Sequence, residues 1–213
     1  MIKGCIFDLD GVIVDTAKYH YLAWKRLANE LGFEFTEEDN ERLKGVSRMK
    51  SLEILLEIGN KDFDEETKIE LAEKKNGWYV EYISKMDESE ILDGVKEFLT
   101  ELREKGIKIS LGSVSKNAMT ILKNINLLPY FDAVIDGTKV TNAKPDPEVF
   151  LKAAEELGLK PEECCVFEDA VAGIEAARRA NMKVIGVGSP EILGSADKVI
   201  DGFKGITIDI LNL

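Results

Sequence analysis

A chain of 213 residues with 45% apolar and 32% charged residues can bury one good core and carry a smaller inserted unit, and it is not the composition of a disordered chain. Its 40 acidic against 28 basic side chains leave a formal charge of −12, which argues against nucleic acid or an anionic membrane surface as a general partner; an anionic ligand must be met by a local cluster of cations or by a metal. No apolar run approaches bilayer length, and Asp8 and Asp10 interrupt the N-terminal apolar stretch with no small-residue cleavage site after it, so neither a membrane span nor a secretion signal is expected.

The first element, CIFDL (5–9), reads as a buried strand, yet FDLDGVIVDT places Asp8 and Asp10 in apolar surroundings, where an ionised carboxylate needs a partner. From 16 to 88 no strand pattern occurs. Helical stretches fall at 16–31, 37–43, 47–57 and 65–86, with Tyr21, Trp24, Ala28 and Leu31 on one face of the first and Leu52, Leu55 and Leu56 together further on. Asp15 is expected to cap the first of these helices, starting near Thr16. Then come the apolar segments IKISLGS (107–113), DAVID (132–136), CCVFED (164–169), KVIGVG (183–188) and KVI (198–200), alternating with helical patterns at 93–106, 115–127, 146–158 and 169–181. Uniformly apolar strands alternating with helices indicate a parallel sheet covered on both faces. The expected fold is thus an α/β, Rossmann-like core (1–15 and 89–213) with an inserted α-helical domain (16–88). Gly106 and Gly158 mark helix ends, and Asp146-Pro147 reads as N-cap and first helical residue. Cys5, Cys164 and Cys165 lie in apolar stretches without ligand spacing; they read as core residues and suit a reducing cytoplasm.

Open parallel sheets bind ligands at the carboxyl ends of their strands. The sequence places Asp8 and Asp10 there after the first strand, Ser113 after the second, Lys144 in the loop before the 146–158 helix, and Glu168 and Asp169 at the end of CCVFED. Each has a bland reading alone: Asp10-Gly11 a turn, Ser113 or Glu168-Asp169 a helix cap, Lys144 a solvated loop lysine. Together they form a convergent set of four acids, one hydroxyl and one lysine, and hard oxygen ligands of this kind suit Mg²⁺.

FDLDGVIVDT, GSVSKN, AKPDP and VFEDA resemble, in this order, the four signature motifs of the haloacid dehalogenase-like superfamily, and the inserted helical unit resembles that superfamily's α-helical cap. The resemblance runs over the whole chain, and aspartate at position 10 resembles the phosphotransferase and phosphatase branch. TAKYHYLAWKRLA (16–28), LKGVSRMKSLEILL (43–56) and AEKKNGWYV (72–80) resemble the cap segments of members acting on glucose phosphates. The resemblance implies interconversion of β-D-glucose 1-phosphate and glucose 6-phosphate through β-glucose 1,6-bisphosphate, which also primes the enzyme. The alternative is a phosphatase acting on a small sugar phosphate or phosphoglycolate with the same core.

Residue by residue, the resemblance implies that Asp8 is the nucleophile, Asp10 the general acid/base, and Ser113 and Lys144 the ligands of the transferring phosphoryl group. It also implies that Mg²⁺ is held by Asp8, Glu168, Asp169 and the Asp10 backbone carbonyl. Arg48 is expected to clamp the phosphate that is not reacting, since guanidinium meets phosphate oxygens in pairs. Gly45, Val46, Ser47, Ser51 and Lys75 from the cap, and Val114, Ser115, Lys116 and Asn117 beside Ser113, are the further expected contacts. Trp24 reads equally as core packing or as sugar-site lining. His20, the only histidine, has no serine or cysteine nucleophile pattern to serve; the resemblance makes it, with Thr16, a hinge residue coupling cap closure to Asp10. No exposed apolar stripe demands a protein partner, so a monomer is expected.

Overall fold

Apolar β-branched and aromatic runs form the six strands β1 (Gly4–Phe7), β2 (Lys108–Gly112), β3 (Ala133–Ile135), β4 (Cys164–Glu168), β5 (Lys183–Val187) and β6 (Lys198–Ile200). They make one sheet in the order β3-β2-β1-β4-β5-β6, with every neighbouring pair parallel. The computed structural model describes residues 1–43 and 46–212, so the contact expected at Gly45 lies outside the described residues. The chain divides into two compact units, Met1–Asp15 with Met86–Leu213 and Thr16–Lys85.

In the helical unit, α1 (Ala17–Glu30), α2 (Glu37–Glu41), α3 (Arg48–Ile58) and α4 (Glu65–Ile83) enclose a core of Trp24, Leu27, Ala28, Leu52, Leu55, Leu56 and Ala72. Side-chain oxygens of Thr36, Ser47 and Asp64 cap α2, α3 and α4 by accepting backbone N–H groups of the first turn. Thr16 stands at the N-cap of α1 with a backbone that is already helical (φ −95°, ψ −1°), and the Thr16 side chain itself makes no cap bond.

The sheet unit adds α5 (Val95–Glu104), α6 (Ala118–Asn124), α7 (Glu148–Leu157), α8 (Val171–Arg179) and the short α9 (Pro190–Leu193). Successive strand side chains point to opposite faces. Ile6 and Val166 therefore pack with Phe150, Ala153, Ile174 and Val184 on one side, while Phe7 stacks on Phe167 on the other, rings 4.7 Å apart, with Phe98 and Phe203 closing the cluster. Burying each such ring stabilises the fold by roughly 1.5–3 kcal/mol.

Several expected boundaries move, two of them for a visible reason. The first strand ends at Phe7 rather than Leu9: Ile13 and Val14 both donate their N–H to Leu9 O, so the apolar residues after Phe7 fold into a buried loop instead of extending the ladder. The 146–158 helix begins at Glu148 with Pro147 at its N-cap. Proline brings no N–H, so the first donor needing a partner is that of Glu148, and the Asp146 carboxylate accepts it at 3.0 Å. Gly158 closes the same helix in the left-handed region (φ 66°) that glycine adopts without steric cost. All three cysteines are buried and free.

Candidate active site

The carboxyl ends of β1 and β4 lie side by side, because Phe7 pairs with Phe167 and Asp8 continues the ladder by donating its N–H to Phe167 O. That register sets the Asp8 side chain beside Glu168. Both are buried, and one oxygen each of Asp8, Glu168 and Asp169 lies within 4.8 Å of the other two. Lys144 reaches into this cluster from the loop before α7, its Nζ donating to Asp8 Oδ1 at 2.5 Å and Glu168 Oε2 at 2.8 Å. Only 8% of the lysine side chain is exposed, so neither partner's charge is screened by bulk water.

The electrostatics follow from that crowding. Burial would lower the Lys144 ammonium, yet the charges of Asp8 and Glu168 and the hydrogen bonds to both hold it above the ordinary lysine value. Burial and the neighbouring Asp8 push Glu168 up, against the pull of Lys144. Asp169 is pushed up to about 8 by burial of its carboxyl group and by the charges of Asp8, Glu168 and Asp10, although the residue as a whole is open to solvent. With all three ionised, the carboxylates exceed the one ammonium by two negative charges. The donors are all hard oxygens, so the set fits a divalent cation of the Mg²⁺ type.

Two glycines make the cluster possible. A Cβ on Gly11 would lie 2.1 Å from Asp169 Oδ2, and Gly11 has φ +76° in the tight turn after Asp10. A Cβ on Gly173, in the first turn of α8, would lie 2.0 Å from Glu168 Cδ. Glycine inside a helix costs about 1 kcal/mol relative to alanine. The sequence carried that signal at Gly173 without saying which side chain needed the space.

Ser113 follows β2, which pairs with β1 on the other side. It is buried, and its Oγ accepts the Ser115 N–H at 3.2 Å, while Ser115 Oγ accepts the Asn117 N–H at 3.3 Å. Val114 and Lys116 are exposed between these two turns. The loop leans on β3, with Ser113 N–H donating to Ile135 O and Gly137 N–H to Ser115 O.

The helical unit gathers a second group of expected residues around Lys75. This lysine is only 3% exposed; its Nζ lies 2.9 Å from His20 Nδ1 and over the rings of Trp24 and Tyr79, at 4.4 and 5.0 Å from their centroids. His20 in turn stacks on Tyr79 with centroids 4.0 Å apart. Burial, then the charge of Arg48, bring Lys75 down to about 7. Burial, Lys75 and Arg48 hold His20 well below the usual histidine range. Both effects favour the neutral imidazole, and the tautomer of that ring sets whether Nδ1 or the Lys75 amine donates across the 2.9 Å contact. Trp24 is a core residue and, at the same time, part of the Lys75 enclosure. Ser51 is buried, Val46 and Arg48 are exposed at the start of α3, and Ser47 Oγ is engaged as the helix cap, accepting the Lys50 N–H. Tyr79 was not singled out from the sequence, where it reads as one more apolar position of a long helix.

A chain with this sheet order and this acid–lysine cluster at the carboxyl ends of its strands has the framework of a phosphoryl-transfer enzyme of the Rossmann-like kind. A family model described as haloacid dehalogenase-like hydrolase matches residues 2–181, and the chain belongs to that family. Within the family it is 41% identical over 213 residues to the β-phosphoglucomutase of Bacillus subtilis, covering 99% of this chain and 94% of that one. The crystal structure of β-phosphoglucomutase from Clostridium difficile is 44% identical with a TM-score of 0.92, covering 100% of this chain and 96% of that chain. A phosphorylated carbohydrates phosphatase of Thermotoga maritima is 35% identical over 187 residues, 86% of this chain and 84% of the other.

Proposed function

We propose that this protein is an isomerase that interconverts β-D-glucose 1-phosphate and glucose 6-phosphate, working through an aspartyl-phosphate and β-glucose 1,6-bisphosphate. The observation that carries the reading is Lys144 bridging Asp8 and Glu168 inside a buried carboxylate cluster, in a chain similar over nearly its whole length to β-phosphoglucomutases.

Asp8 is the nucleophile. In the phosphorylated enzyme its Oδ carries the phosphoryl group, and the 6-hydroxyl of β-glucose 1-phosphate attacks phosphorus as the bond to Asp8 breaks. Asp10 takes the hydroxyl proton in this half-reaction. In the return half, Asp8 attacks the phosphorus at the sugar's C1 oxygen, and Asp10 gives the proton back to the leaving oxygen, which leaves glucose 6-phosphate. Lys144 and Ser113 hold the oxygens of the phosphoryl group in transit, where a fixed ammonium in a water-poor pocket counters the charge that develops. The Asp8, Glu168 and Asp169 carboxylates and the Asp10 backbone carbonyl are the ligands for Mg²⁺. Bound Mg²⁺ supplies the remaining positive charge that lets two anions approach each other.

The phosphate that is not reacting is assigned to the cations of the helical unit. Arg48 offers a planar pair of donors, and Lys75 regains its full charge when an anion approaches. Ser47, Ser51 and Val46, with Val114, Ser115, Lys116 and Asn117, complete the sugar-phosphate contacts, and Thr16 and His20 couple the helical unit to Asp10.

The hydrolytic reading, water in place of the sugar hydroxyl, is favoured by the hydrolase description of the family model and by the similarity to the Thermotoga maritima phosphatase. One assay separates the two. β-Glucose 1-phosphate is incubated with Mg²⁺ and a trace of the 1,6-bisphosphate, glucose 6-phosphate and free phosphate are followed in parallel, and the α-anomer serves as control. Glucose 6-phosphate from the β-anomer with little phosphate is the expected result, with Arg48→Ala raising KM. Phosphate release without glucose 6-phosphate would overturn the mutase reading and leave the core chemistry in place.

A further inference from the structure

Lys144 stands in a stretch with no helix or strand between Ile135 and Glu148, so the lysine's reach into the carboxylate cluster needs a local device to fix its backbone. Glu148, the first residue of α7, supplies one. Its Oε2 accepts the backbone N–H groups of Thr141 at 3.0 Å and Asn142 at 2.8 Å, and its Oε1 accepts from Lys152 Nζ at 2.7 Å. Lys152 Nζ also donates to Lys139 O at 2.7 Å, while Lys139 Nζ donates to Val134 O at 2.8 Å and to Glu156 Oε1 at 3.3 Å. The loop is thereby tied at Lys139, Thr141 and Asn142 to the start of α7 and to β3, and Lys144 leaves it two residues later.

We propose that Glu148 is the positioning residue for Lys144, holding the loop so that the ammonium lies between Asp8 and Glu168 rather than in solvent. The proposal rests on the role given to Lys144 above. A glutamate in the first turn of a helix is favourable to the helix dipole in any case; but such a residue needs no bond to the preceding loop, whereas Glu148 receives two backbone N–H groups from it and a lysine that binds the same loop. The bonds from Lys152, Asn142 and Thr141 bring its carboxyl down to about 2, so the staple stays charged at every pH at which the enzyme can work. Nothing in this arrangement touches substrate; Glu148 acts only through where it places Lys144.

The test compares Glu148→Ala, Glu148→Gln and the parent protein in the primed β-glucose 1-phosphate assay, with thermal unfolding as the control for folding. Displacing a charged group by about 1 Å costs up to ~10²-fold in rate. Glu148→Ala is therefore expected to lower kcat roughly 10- to 10²-fold, with KM within about twofold of the parent. Glu148→Gln, which keeps an amide oxygen for the two backbone donors, is expected to recover most of that loss. A kcat for Glu148→Ala within twofold of the parent, or a rise in KM with kcat unchanged, would overturn the proposal. If the alanine variant does not fold, a fully active or a fully inactive Glu148→Gln overturns it, and a partial loss confined to kcat upholds it. Should the parent release phosphate instead of forming glucose 6-phosphate, the mutase reading fails alone, and the same comparison on the rate of phosphate release still decides the role of Glu148.

Discussion

Replacing Lys144 by methionine keeps the length of the side chain and removes its charge. In the parent the ammonium lies 2.5 Å from Asp8 and 2.8 Å from Glu168, with the three side chains 8%, 10% and 1% exposed. Removing one partner from a buried ion pair costs ~3–5 kcal/mol, because the partner left behind stays desolvated. The two charge-assisted hydrogen bonds, at about 1.5–3 kcal/mol each, give a figure of the same size. Lys144→Met is therefore expected to lose ~3–5 kcal/mol of unfolding free energy at pH 7.5 in EDTA. The pH dependence has a definite sign. Glu168 and Asp169 already lie above their ordinary values, and loss of the cation moves them higher. An acid with a raised folded pKa destabilises the fold at any pH above its unfolded value, because there the unfolded chain releases a proton more readily than the fold does. The cost is absent below the unfolded value near ~4, and grows as pH rises towards and through the folded one. The difference between variant and parent must then shrink from pH 7.5 to pH 5. Urea unfolding followed by circular dichroism measures it, since both tryptophans, Trp24 and Trp78, belong to the helical unit and do not report on the sheet. A loss below about 1 kcal/mol at pH 7.5, within the range of an exposed pair, would refute the reasoning. So would a loss as large at pH 5 as at pH 7.5.

Three further outcomes are expected. Gly173→Ala drives a Cβ into Glu168, which must leave its place; titration with Mg²⁺ is expected to show affinity weakened roughly 10- to 100-fold with the thermal midpoint nearly kept, and an unchanged Mg²⁺ affinity would contradict the steric argument. Lys75, at about 7 in the free protein, must be an ammonium to hold a phosphate. KM for β-glucose 1-phosphate is therefore expected to climb above pH 7, approaching about tenfold per unit, and Lys75→Met is expected to flatten that slope; a KM indifferent to pH between 7 and 9 would remove Lys75 from the binding step. Asp10→Asn cannot exchange the proton and is expected to lower kcat by ~10²–10⁴ while leaving the unfolding free energy within about 1 kcal/mol; a variant of near-parental kcat would assign the proton to another group.

The strands and the candidate site residues could be read along the chain for the same reason. Buried parallel strands are uniformly apolar over about four residues, as in GCIF and the CCVF of β4, and the parallel arrangement sends the carboxyl end of every strand to one edge of the sheet. Acids placed just after such runs, Asp8, Glu168 and Asp169, are thereby brought to one place before any coordinate is known. The fold class and the helical insertion rest on patterns of short period, and the family motifs on resemblance to a known set of residues. Helix starts were less legible: Pro147 rather than Asp146 stands at the N-cap of α7, although the Asp146 carboxylate still accepts the Glu148 N–H, because the point at which the backbone turns helical is set by angles that no short pattern carries.

What only the tertiary structure decided are pairings between residues far apart in the chain. Lys144 meets Asp8 across 136 positions and Glu168 across 24, and Lys75 meets His20 across 55. The space that Gly11 and Gly173 leave for two carboxylates, and the bonds by which Glu148 ties down the loop of Lys144, belong to the same class. None of these has a sequence period. They depend on close packing, where one methyl group fills the room a carboxylate needs, and on charges that act strongly only within a few ångströms and out of water. Local patterning therefore determined which residues reach the edge of the sheet, and packing at that edge determined which of them touch and what charge each one carries.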